Sequence, residues 1–209
     1  MGRPRKFDEE QVLRAARDEF WQKGYAATSL DDLTRATGLG KGSLYGAFGD
    51  KHQLFLKVLG AYAHETSDGV CEAVQRGERA IVVLRGFFTP GPPDDVTQHN
   101  GPVEVTRGCF LANSTTELAA RDPEVTGRAR ATYQAVEDCF TNAVARAVAE
   151  GDLPDDTNPR ELGRLLLTIQ QGLQFLLKTN MTAAAMREVG RATVDRLLPL
   201  SAAEKEFGK

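Results

Sequence analysis

The chain of 209 residues contains no apolar run approaching the ~18 residues that a membrane-spanning helix needs, so no membrane partner is expected. Its start, Met1-Gly2-Arg3-Pro4-Arg5-Lys6, is basic but leads into no apolar stretch, so a secretory leader is not expected either. Cysteine is sparse: Cys71, Cys109 and Cys139 are far apart and odd in number, which points to a reducing compartment, the cytoplasm. The three histidines, His52, His64 and His99, lack metal-ligand spacing, and there is no C-x-x-C. Neither a G-x-S-x-G elbow nor a phosphate-binding Walker loop occurs. No catalytic residue, metal or cofactor is therefore expected, and Asp31-Asp32 and Asp155-Asp156 read as a solvated helix face and a loop. Positive charge is also short: the net charge is −3 and the pI about 5.7. Taken alone, that argues against a nucleic-acid binder.

Alternating strand patterns are missing too, and apolar residues recur at spacings of three and four. The chain is expected to be all-α. Asp8 is placed to cap a first helix with stripe Val12, Ala15, Ala16, Phe20, stopped by Gly24. Ser29 and Asp32 have capping-box spacing ahead of a short helix ended by Gly38. After the turn Gly38-Leu39-Gly40, a third helix is expected over Lys41 to Phe48, completing a helix-turn-helix. Further helices are expected from Lys51 to about Arg76, Arg79 to Phe88 and Cys109 to Ala120. Asp122-Pro123 and Asn158-Pro159 should open two more, and a last one should run from Ala183 to Leu198. Pro90, Gly91, Pro92, Pro93, Gly101 and Pro102 mark a loop between Thr89 and Thr106.

The stretch Gly24-Tyr25, Thr28-Ser29-Leu30, Leu33, Thr37-Gly38-Leu39-Gly40-Lys41-Gly42-Ser43-Leu44-Tyr45, Phe48-Gly49-Asp50-Lys51, Leu54-Phe55 resembles the N-terminal domain of the tetracycline-repressor (TetR) family. About a quarter of the chain carries this resemblance. Gly108-Cys109-Phe110-Leu111-Ala112-Asn113 and the last helix pair are similar to those of one subgroup. The resemblance implies a helix-turn-helix DNA-binding domain, residues 1–57, and a helical effector-binding and dimerisation domain, residues 58–209. It implies a transcription regulator, usually a repressor, that leaves its operator when a small-molecule effector binds. The alternative from another class is a dimeric helical small-molecule binder that no longer holds DNA.

The residues agree with the first reading. Lys41, Gly42, Ser43, Tyr45 and Lys51 gather at two helix starts, where free N–H groups and the positive dipole end attract phosphate. Ser43 and Tyr45 add hydroxyls, and Ser29 stands at the start of the preceding helix; by the resemblance, Thr28 would touch phosphate. Gly40, Gly46 and Ala47 are small where many family members carry longer polar groups, so direct base reading falls mainly to Lys41, with DNA shape adding the rest. Arg3 and Arg5 form a basic arm suited to a minor groove, or else a solubilising tail. The charge is unevenly placed: residues 1–57 hold 10 Lys+Arg against 8 Asp+Glu, and residues 58–209 hold 16 against 21. The −3 is an average over two segments of opposite sign.

The second domain is expected to dimerise. Leu162, Leu166, Ile169 and Leu173, with Val189 and Leu197 on the last helix, form apolar faces for a second copy, or for the chain's own core. An effector pocket would draw on Phe87, Phe88, Cys109, Phe110, Asn113, Tyr133, Phe140, Gln170 and Phe175. Cys109 follows Arg107 at a helix start, a setting that favours thiolate. It reads as a sensor of electrophiles or oxidants, as in some members of the subgroup, or as a small buried hydrophobe.

Overall fold

A computed structural model describes residues 7–75, 79–89, 107–179 and 181–199. Among the described residues all regular structure is helical: α1 (Glu9–Lys23), α2 (Leu30–Thr37), α3 (Lys41–Phe48), α4 (Lys51–Gln75), α5 (Ala80–Gly86), α6 (Phe110–Leu118), α7 (Pro123–Ala149), α8 (Pro159–Leu177) and α9 (Ala183–Leu197). None of these helices is long and apolar enough to cross a membrane. The basic arm, with Arg3 and Arg5, lies outside the described residues, as does the expected loop from Thr89 to Thr106 apart from Thr89 itself.

Local chemistry sets the helix ends. The Asp8 carboxylate accepts from the Glu10 and Gln11 amides and starts α1. Gly24, at φ +82°, turns the chain out of it. Ser29 and Asp32 close the start of α2 reciprocally, hydroxyl to one amide and carboxylate to the other. Asn158 caps α8 through the Arg160 and Glu161 amides, and Thr182 caps α9. α5 ends two residues earlier than its apolar pattern predicts, because Phe88 and Thr89 both donate to the Arg85 carbonyl in a tight turn.

The chain packs as two units, and the division differs from a break after residue 57. The first unit runs to Glu65 and also includes Phe110–Arg130. Phe20, Phe55, Leu33, Leu44 and Leu54 are buried in it, with Phe20 edge-on to Phe55 at 5.1 Å between ring centres. Phe110 completes this cluster, edge-on to Tyr62 at 5.5 Å and beside Trp21 and Phe55. Its expected place in an effector pocket is therefore corrected: the ring is core of the unit that carries the helix-turn-helix.

The second unit holds Thr66–Cys109 and the chain from Ala131 onward. Its core joins Ile81, Leu84 and Phe88 to Val136, Phe140, Val144, Leu166 and Val194. Gly163 lets α8 approach α7 closely, since a Cβ there would stand 2.8 Å from the Thr141 amide nitrogen. One turn away the buried Glu137 carboxylate takes both Arg164 and Arg160, and the Arg164 guanidinium holds its carboxyl below the usual range. One residue of the expected dimer stripe, Leu166, is corrected here. Leu166 is fully buried within the chain, and Leu162, Ile169, Leu173 and Leu197 pack against the same core. Among the described residues, the large apolar side chains left exposed on these helices are Leu165, Phe175 and Leu176 on α8 and Val189 on α9. α8 has two apolar faces, and the stronger one serves its own unit.

A second correction concerns sulfur. Cys71 on α4 and Cys139 on α7 are joined by a disulfide, and Cys109, which is buried, lies outside that bond. The pair lies 68 residues apart in sequence, so spacing gave no hint of it.

Candidate nucleic-acid interface

α3 begins without a side-chain cap. Its N-cap is Gly40, which offers no acceptor, so the first-turn amides point outward unclaimed by any capping group. Leu44 and Phe48 anchor the helix inward, while Lys41, Gly42, Ser43, Tyr45 and Gly46 are exposed. A Cβ added at Gly40, Gly42 or Gly46 would meet nothing within 4 Å. The protein's own packing does not call for glycine at these positions. A bare, low-relief helix face does suit the close approach of a second surface.

The charges around this face are already partnered. Lys41 Nζ lies 2.8 Å from Asp31 on α2, and that carboxylate raises the lysine's pKa. Lys23 bridges Glu19 and Asp32, and Arg35 also reaches Asp32. Lys23 first, then the Ser29 hydroxyl and amide, hold the Asp32 carboxyl far below the usual carboxylate range. Lys51 sits over the Tyr25 ring at 4.6 Å and donates to the Ala26 carbonyl; partial burial pushes its pKa down. Lys51 thus stands beside α3 as a cation already steadied by an aromatic face.

Two expectations on α2 change. Thr28 is buried, and its hydroxyl donates to the Gly24 carbonyl at 2.6 Å, so it locks the α1–α2 turn and offers nothing to phosphate. Ser29 is exposed, but its hydroxyl donates to Asp32 at 2.6 Å and accepts the Asp32 amide. Its first role is the cap.

Sequence reasoning missed Glu117 altogether. From α6 its carboxylate accepts the Tyr25 amide at 2.9 Å and the Ala26 amide at 2.7 Å. A Cβ at Gly24 would come within 2.8 Å of the same carboxylate. The turn leading into α2 is therefore clamped from more than ninety residues away. Nearby, Asp122 caps α7 through the Glu124 and Val125 amides and also meets His52 Nε2 at 2.7 Å. These bonds draw the Asp122 carboxyl below its ordinary value against the opposing effect of burial. No local pattern could have announced either long-range contact.

The expected effector residues separate. Phe110 and Asn113 belong to the first unit, and the other seven to the second. Phe87 stands edge-on to Phe140 at 5.4 Å, and Phe88 and Phe140 are fully buried core. Cys109 and Tyr133 come together: burial, and then the neighbouring thiol, push the Tyr133 phenol well up. Gln170 is half-buried on α8, and Phe175, at 61% exposed, points away from any interior. A cavity of about 440 Å³ is lined by Thr89, Ala184, Arg187, Glu188 and Arg191, none of them among the nine.

Residues 12–58 match the family described as bacterial regulatory proteins, tetR family, and residues 97–193 match the tetracyclin repressor-like C-terminal domain. An uncharacterised HTH-type transcriptional regulator of Bacillus subtilis, YezE, is 31% identical over 179 residues, covering 85% of this chain and 90% of that protein. The chain belongs to the TetR family. The HTH-type transcriptional repressor ComR of Escherichia coli is 27% identical across 95% of this chain and 92% of its own length. A cysteine mutant of the TetR-family regulator CifR, solved with 26-bp double-strand operator DNA, superposes with a TM-score of 0.75. It is 27% identical and covers 93% of this chain and 99% of that one. In this TetR-family regulator, α2 and α3 lie within the N-terminal family match, and the C-terminal match, residues 97–193, takes in parts of both packing units.

Proposed function

We propose that the chain is a transcriptional repressor that holds an operator as a homodimer and releases it when a small molecule occupies the second unit. The observation that carries this is the start of α3: uncapped, lined with glycine, and flanked by exposed Lys41, Ser43 and Tyr45. Phosphate would take the first-turn amides at Gly42 and Ser43, with the hydroxyls of Ser43 and Tyr45 beside them. Lys41 would exchange Asp31 for a phosphate or a guanine edge, and Lys51 would meet backbone phosphate. Arg3 and Arg5 would follow the adjacent minor groove. ComR, a repressor, and the CifR–operator complex support the reading by kinship.

Two-fold symmetry places two such helices about one DNA turn, ~34–36 Å, apart. The face that suits a second copy is Leu165, Phe175 and Leu176 on α8 with Val189 on α9. Release is a population shift: the effector favours an arrangement in which the two α3 helices no longer match the operator. Phe87, Tyr133 and Gln170 are the half-buried groups available to an effector, and Cys109 beside Tyr133 is where an electrophile would act.

The test is fluorescence anisotropy on DNA flanking the chain's own gene. Wild type is expected to bind in a salt-dependent way, and no binding at low salt would sink the proposal. Phe175→Asp is expected to run as a monomer in light scattering and to bind this DNA at least tenfold more weakly. Electrophile-driven release is expected in wild type and not in Cys109→Ser; equal release in both would remove Cys109 from the reading.

A further inference from the structure

The Cys71–Cys139 disulfide sits where a DNA-binding regulator would not be expected to carry a permanent one. Such a regulator works at the chromosome, among thiol systems that keep cysteines reduced, and disulfides in that setting are usually transient and redox-responsive. The α-carbons of the pair are 5.4 Å apart, within the range natural disulfides occupy, so the bond can open and close without moving the backbone. Both side chains are half-buried, at the edge of the second unit's core and within reach of small thiols. The two helices do not depend on the bond to stay together. Val70 and Val74 on α4 share a core with Val136 and Phe140 on α7, and Arg146 donates to the Val74 carbonyl at 2.7 Å.

The position of the pair is selective. α4 and α7 are the helices whose residues fall in both packing units, Lys51–Gln75 and Pro123–Ala149. The bond ties the second-unit parts of both. Along α4, Cys71 is an unbroken helix away from Lys51, roughly 30 Å at 1.5 Å per residue.

We propose that Cys71 and Cys139 form a reversible dithiol–disulfide switch through which an oxidant changes the affinity of this regulator for DNA. With a hydroperoxide as oxidant, one thiolate attacks a peroxide oxygen, the O–O bond breaks, and a sulfenic acid and water (or an alcohol) result. The second thiolate displaces the sulfenic oxygen as water and closes the S–S bond; two electrons pass from the sulfurs to the peroxide. A dithiol reductant reverses this by two exchanges, leaving two cysteine thiols and its own disulfide. Cys109 takes no part.

The DNA readout rests on the operator-binding proposal, and the sulfur chemistry does not. Full-length protein is equilibrated with hydrogen peroxide or dithiothreitol, quenched in denaturant with a maleimide, and weighed. Three labels are expected on the reduced protein and one on the oxidised, with Cys109→Ser showing two and none. A bond that dithiothreitol leaves intact in the folded protein overturns the switch. Affinity for the flanking DNA is expected to differ at least tenfold between the two forms in wild type and Cys109→Ser. Cys71→Ser and Cys139→Ser should bind that DNA alike in both buffers, and equal affinity of the two wild-type forms overturns the proposal. If that DNA binds neither form, the operator reading has failed, and amide exchange across residues 51–65 decides the switch. Slower exchange in the oxidised protein supports it, and identical exchange rejects it.

Discussion

α2 and α3 are neighbours of equal length, eight residues each, and their N-termini are built in opposite ways. α2 opens on a reciprocal Ser29–Asp32 box, with Lys23 and Arg35 drawn onto the same carboxylate. α3 opens on a bare glycine, with no acidic residue in its first turn and a lysine as its first residue. The start of α2 is closed by bonds inside the protein, whereas the start of α3 has no side-chain cap. Within one helix-turn-helix, one helix start is closed by its own side chains and the other is not, the difference on which the proposed operator contact rests.

That contrast can be broken from the support side first. Glu117→Ala removes a charged acceptor from two backbone amides and is expected to lower unfolding free energy by about 3 kcal/mol, read by urea denaturation. Lys41→Ala should act on the opposite property. Operator affinity is expected to fall about tenfold and the salt slope by about one ion, with an unchanged thermal midpoint. Ser29→Ala is the reverse case, costing about 1 kcal/mol of stability and leaving the salt slope as it was.

Acid should sharpen the comparison. The Asp32 carboxyl is depressed in the folded chain, so its contribution is complete above the unfolded value of about 3.9 and is lost as pH falls through the folded one. Amide exchange in α2, corrected for intrinsic pH dependence, is expected to quicken in strong acid, and Asp32→Asn to flatten that response. The smallest effect should come from Gly46→Ala. Its new Cβ meets nothing, so α3 is stabilised by up to about 1 kcal/mol in a thermal melt while DNA binding weakens.

Much of this was legible in the sequence because caps act over two to four residues. Asp8, Ser29 with Asp32, Asp122 and Asn158 each announce a helix through a bond that closes locally, and each helix is there. What was misread required knowing which of two neighbours a face would choose. The stripe Leu162, Leu166, Ile169, Leu173 looked free for a second copy because nothing in it says that Ile81, Phe140 and Val194 already cover that side. Phe110 and Cys109 are adjacent in the chain and belong to different packing units, a division that no local pattern announces. Thr28 resembles a phosphate-binding threonine by position, but the Gly24 carbonyl takes its hydroxyl first. Glu117 and the cysteine pair are products of distance closure, which periodicity does not encode.

The bond between Cys71 and Cys139 also has a topological consequence. It makes the chain from residue 71 to residue 139 a closed covalent ring, threaded through α5 and α6 and opening into two tails. One protease cut inside that ring leaves the two resulting pieces covalently joined. The nicked chain remains a single molecule of unaltered mass but for one added water. Reduction under denaturing conditions would separate it, into an amino-terminal piece carrying α3 and a carboxyl-terminal piece carrying α8 and α9.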